Sequence, residues 1–71
     1  MHHPFRITID RDERAGVWVA VSQDVPGLAI EAADLANLDM RLSRLIPDLL
    51  DANGLTVRAP LRWQYLFRVN G

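Results

Sequence analysis

The sequence has no cysteine, no lysine and only two histidines among its 71 residues. Without thiols there is neither a disulfide framework nor a thiolate metal site. Nucleophilic catalysis is left to serine or threonine, which needs a positioned histidine beside it. The histidines, His2 and His3, are neighbours at the N-terminal end, where adjacent side chains do not complete a coordination shell. No enzyme activity, metal or other cofactor is therefore expected. Long apolar runs are missing too, because the stretch Leu35 to Leu50 is interrupted by Arg41, Arg44, Pro47 and Asp48, which rules out a membrane span. The first residues lack the basic region and apolar run of a secretory signal, so the cytoplasm is the expected compartment.

What remains is a chain that is 49% hydrophobic with a net charge of -1, enough for one domain over residues 1–71 with a narrow stability margin. Association with another chain is a common remedy at this size. The charge is unevenly placed: all nine acids lie between Asp10 and Asp51, whereas Leu55 to Gly71 carries three arginines and no acid. With so few charges, internal complementarity accounts for the split more simply than a polyanionic partner.

Phe5, Ile7 and Ile9 alternate with Arg6, Thr8 and Asp10, the period-two pattern of a strand with one buried face. Arg11 to Gly16 reads as a hairpin loop, followed by a strand Val17 to Val21 with its three valines on one face and Trp18 and Ala20 on the other. Val25, Pro26, Gly27, Leu28 suits a type II turn. A short third strand, Leu28 to Ile30, then leads towards a helix.

Asp34 is an N-cap candidate for that helix, in which Leu35, Leu38, Leu42, Leu45, Ile46 and Leu49 recur at spacings of three and four. Asn53 and Gly54 supply its stop. Pro47 removes the amide that would bond Ser43, which predicts a kink or two short helices meeting there. From Val57 onward, Val57, Ala59, Leu61, Trp63, Tyr65, Phe67 and Val69 alternate with mainly polar residues, a long last strand in which Pro60 marks a bulge, break or edge. The expected fold class is α+β: an antiparallel three-strand meander, one helix on one sheet face, and a long C-terminal strand. Its expected core is Phe5, Ile7, Ile9, Val17, Val19, Val21, Leu28, Ile30, Leu38, Leu42, Leu45 and Leu49.

Asp10, Asp12 and Glu13 cluster at the first hairpin, but nothing completes a cation shell and a solvated turn is the preferred reading. Arg58, Arg62 and Arg68 share one face of the last strand and are candidate nucleic-acid contacts. The aromatics lie on the opposite face, however, so core and salt-pair roles are favoured. Trp18 reads equally as an interface anchor on a helix-free face or as a residue partly buried under the loop from Gln23 to Pro26. The last strand outruns its neighbours and carries more apolar surface than they cover. The expectation is a homo-oligomer, most simply a dimer, with an interface built from Trp18, Leu61, Trp63, Tyr65, Phe67 and Val69.

The hairpin Ala15, Gly16, Val17, Trp18, Val19, Ala20, the segment Asp24, Val25, Pro26, Gly27, Leu28 and the leucine-patterned helix together resemble the N-terminal domain of HicB-type antitoxins and small bacterial relatives of it. The resemblance covers about two thirds of the chain, from Phe5 to Gly54. It implies a partial ribonuclease-H-like fold with strand order three, two, one, four, and a small toxin protein as partner. Ribonuclease H chemistry is not expected, because the last strand has no carboxylate. The leading expectation is a non-catalytic, antitoxin-like protein-binding module. The rival is a nucleic-acid-binding domain using the arginine face.

Overall fold

The alternation at the start of the chain forms β1 (Phe5–Asp12), two residues longer than the pattern suggested. The computed structural model describes residues 4–55 and 61–68. A four-residue turn closes the first hairpin: the Gly16 amide donates to the Asp12 carbonyl at 2.8 Å and the Ala15 amide to the Asp12 carboxylate at 3.1 Å. It delivers β2 (Val17–Val21) antiparallel to β1, with Ile9 opposite Ala20 and Asp12 opposite Val17.

After β2, the Ser22 hydroxyl donates to the Arg6 carbonyl at 2.7 Å and accepts the amides of Asp24 and Val25. Those bonds turn the chain so that Val25 is fully buried. Gly27 takes φ +83° and the Leu28 amide reaches the Val25 carbonyl at 3.2 Å, the geometry in which only glycine is unstrained at the third turn position. The third strand, β3 (Ala29–Ala32), pairs antiparallel with β2 and starts one residue later than expected.

Helix α1 (Leu35–Ala52) begins where the Asp34 carboxylate accepts the Asn37 amide at 2.7 Å, satisfying one of the orphan donors of the first turn. It ends with Gly54 at φ +70°, its amide on Asp51 and the Leu55 amide on Leu50, a Schellman closure. Pro47 sits inside this single helix, on its exposed side. The two-helix alternative is thus replaced by one continuous helix. Strand β4 (Trp63–Phe67) then pairs parallel with β1, Phe5 opposite Trp63 and Ile9 opposite Phe67. The sheet is mixed, with order β3-β2-β1-β4, as the resemblance implied.

The core differs from the expected one at β2. Residues directly opposite in a sheet share a face, and the hairpin register matches odd positions of β1 with even positions of β2. Ile7, Ile9, Ala20 and Ala32 therefore lie under the helix with Leu38, Leu42, Ile46 and Leu50. Val17 and Val19 are half-buried on the opposite, open face, and Val21 is 42% exposed there. Trp18 accordingly points to the helix side, not to the helix-free side, and is partly buried against the core. Ala20 and Ala32 are small, which lets α1 approach the backbones of β2 and β3 and not those of β1 and β4. The helical stripe is rotated by about one position, with Ile46 and Leu50 fully inside and Leu45 and Leu49 at the margin. Each fully buried isoleucine, leucine or valine side chain contributes about 1.5 to 3 kcal/mol by leaving water.

Candidate functional site

The sheet has two edges, and their chemistry differs. On the β1 side of β4, the Phe5 amide donates to Arg62 and the Arg68 amide to the Ile9 carbonyl. A parallel ladder alternates, so the even positions of β4 face β1 and the amides and carbonyls of Trp63, Tyr65 and Phe67 face outward. Among the described residues nothing pairs with them. At the other edge, β3 turns only Ala29 and Glu31 outward, and the Arg41 guanidinium donates to the Glu31 carbonyl at 2.7 Å. A short strand with a bound cationic side chain is a blunted edge.

The side chains of β4 on the helix side form an aromatic row. The Trp63 indole N–H donates to the Tyr65 hydroxyl at 3.2 Å, and that hydroxyl donates to the Asp39 carboxylate of α1. Burial, and after it the Asp39 bond, raises the Tyr65 pKa above its ordinary value, because the phenolate would be desolvated beside a carboxylate. Phe67 is 53% exposed and meets Trp18 edge to face at 6.4 Å. The Arg11 guanidinium lies 5.1 Å above the Trp18 ring, within cation–π range. Since α1 lies over β2 and β3, its backbone does not cover this row.

Of the expected interface residues, Trp63, Tyr65 and Phe67 thus stand together on β4, and Leu61 packs beside the core just before it. Trp18 meets the group at Phe67. Val69 lies outside the described residues. The described strand has five residues, shorter than the nine expected from Leu61 to Val69.

The candidate nucleic-acid face is the open one. Arg62 is exposed there, Arg58 lies outside the described residues, and Arg68 is held by Asp10 at 3.4 Å. A second pair joins the Arg6 side chain to Asp24 at 3.2 Å, and the Arg6 amide also donates to that carboxylate at 2.8 Å. These bonds hold the Asp24 carboxyl below its usual pKa. Arg6 and Arg68, but not Arg62, line a shallow groove of about 400 Å³ together with Thr8, Val21 and Leu66. A salt-pair role was expected of Arg68, but its partner Asp10, 58 residues away, and the whole Arg6 to Asp24 pair, 18 residues apart, were not legible in the sequence. Asp10 and Asp12 part company, the first binding Arg68 and the second closing the turn. Among the described residues no three His, Asp or Glu side chains gather as a cation site. Nor is any described helix long and apolar enough to cross a membrane.

No curated protein matches this chain. A solved structure is similar to it: a hypothetical protein of the extremely thermophilic bacterium Thermus thermophilus, 38% identical, with a TM-score of 0.86 and 96% of each chain covered. Residues 4–67 match the profile of a family described as a domain of unknown function. That match takes in every strand of the sheet and the helix, and the chain belongs to this family, DUF1902.

Proposed function

We propose that the protein is a non-catalytic binding module that assembles with a second copy of itself through the free edge of β4, and that its further partner is a small protein toxin, as in HicB-type antitoxins. The observation that carries self-assembly is the contrast between the edges. At β3 the outward carbonyl of Glu31 is bound by Arg41, whereas at β4 three consecutive outward positions offer unpaired donors and acceptors beside an incompletely covered aromatic row. Unpaired edges of that kind add strands. The toxin partner is supported by the HicB resemblance of the hairpin, the Pro26, Gly27 turn and the helix, and by the sheet order it implies.

The nucleic-acid reading loses weight because the Arg68 guanidinium is drawn to Asp10, which leaves Arg62 as the described β4-face cation away from a carboxylate. Few phosphate contacts give a weak, strongly salt-dependent footprint. Amide exchange tests the proposal. The amides of Trp63, Tyr65 and Phe67 should exchange quickly in dilute protein and become protected as concentration rises. Equal exchange at all concentrations would contradict self-assembly through this edge.

A further inference from the structure

We infer that the two copies pair β4 to β4 in one register, antiparallel about a two-fold axis through Tyr65, forming a continuous eight-stranded sheet. This rests on the reading that the β4 edge joins copies, and adds how it does so. A two-fold axis perpendicular to the sheet makes self-pairing antiparallel. The outward groups belong to Trp63, Tyr65 and Phe67, so these must form the hydrogen-bonded positions of the new ladder. Centring on Tyr65 overlaps the whole of β4 (Trp63–Phe67) with itself. Tyr65 then exchanges both its bonds with the partner's Tyr65, and Trp63 with the partner's Phe67.

The side chains favour the same register. Phe67, at 53% exposed the least covered aromatic of the row, lies opposite the largest apolar side chain of the partner strand, the partner's Trp63. Cross-strand aromatic pairs of this kind are attractive beyond the area they bury. Trp18, packed edge-on against Phe67, holds that ring from behind. The Tyr65 hydroxyl is bound to Asp39 of its own helix and so is already satisfied. On the open face Gln64 stands opposite the partner's Leu66. Arg62 stands opposite the partner's Arg68, whose charge is met by the carboxylate corresponding to Asp10. Since α1 lies over β2 and β3, the two helices do not collide above the seam.

The absence of cysteine makes the register directly readable. In the proposed pairing, Gln64 and the partner's Leu66 form a non-hydrogen-bonded pair with Cα atoms about 4.5 Å apart, within disulfide reach. Gln64 and its own copy are diagonal, about 7 to 8 Å apart, as are Leu66 and its copy. Both side chains are exposed, so Gln64→Cys and Leu66→Cys should fold. Each variant is oxidised alone, and the two are also unfolded together, refolded as a mixture and oxidised. The inference predicts a disulfide-linked dimer in the mixture and none in either variant alone. A linked dimer from Gln64→Cys or Leu66→Cys alone would overturn the register in favour of one centred on that residue. A native mass of two chains with no disulfide in any sample would overturn β4 pairing in this form, whereas a single-chain mass would overturn the self-assembly reading on which it rests.

Discussion

The facing of β2 is open to a paired test in which the two orientations predict opposite rankings. Ala20 is 0% exposed, opposite Ile9 and Ile30 and beneath the helix. Ala20→Val adds two methyl groups to filled space and should cost about 1 to 3 kcal/mol. Val19 is half-buried on the open face, and Val19→Ala removes two methyl groups that are only partly out of water. At about 0.8 kcal/mol per fully buried group, with some loss of strand preference, that change should cost about 1 kcal/mol. Were the valines turned to the helix, Val19→Ala would open a core cavity costing roughly 2 kcal/mol or more. Ala20→Val would then be neutral or mildly stabilising. Urea unfolding followed by tryptophan fluorescence resolves the two, since a slope of about 1 kcal/mol/M turns each kcal/mol into about 1 M of midpoint. Both variants are best measured with Phe67→Lys in the background, so that association does not enter the equilibrium. Val19→Ala proving the more damaging would refute the register.

Leu42→Ala, at a position 0% exposed, should cost about 2 to 5 kcal/mol in the same assay, a large share of what so small a domain has. Asp34→Ala should cost about 0.5 to 2 kcal/mol through the lost cap, and its helix signal should fray from the N-terminal end. Tyr65 is the single tyrosine of the chain, so tyrosinate absorbance reports it alone. Its raised folded-state pKa means that its contribution is complete below the unfolded value near 10 and is lost as pH rises through the folded one. Tyr65→Phe should remove that alkaline component. Asp24 behaves conversely. Its carboxyl is lowered by Arg6, so its contribution is present above the unfolded pKa near 3.9 and is lost as pH falls through the folded one. Asp24→Asn should flatten the acid limb of the stability curve.

Local signals read correctly where the chain itself decides the outcome. The Asp34 cap, the Asn53 and Gly54 stop and the turn at Pro26 and Gly27 each depend on a few neighbouring residues, and each appears as expected. The face of β2 does not depend on β2 alone. Its valines have the stronger apolar pattern, but the hairpin register is set by the turn between Asp12 and Val17, and a shift of one residue reverses every side chain. Val25 reads as a turn residue and not as core because it lies in a loop, where its amide donates to the Ser22 hydroxyl and its side chain is fully buried. The aromatic row of the candidate interface was legible as alternation. The blunting of β3 by Arg41 and the identity of the ion-pair partners at Asp10 and Asp24 were not, because these groups are brought together only by the sheet and helix.

The mass of the native chain in solution tests the central claim most directly. Light scattering at micromolar concentration should give twice the 8.0 kDa of one chain. Phe67→Lys replaces a residue that is largely exposed in the single chain with a charge of the kind that blunts strand edges. It should keep the native circular dichroism spectrum and fall to 8.0 kDa. A native mass of 8.0 kDa, or a two-chain mass unchanged in a folded Phe67→Lys protein, would contradict assembly through β4.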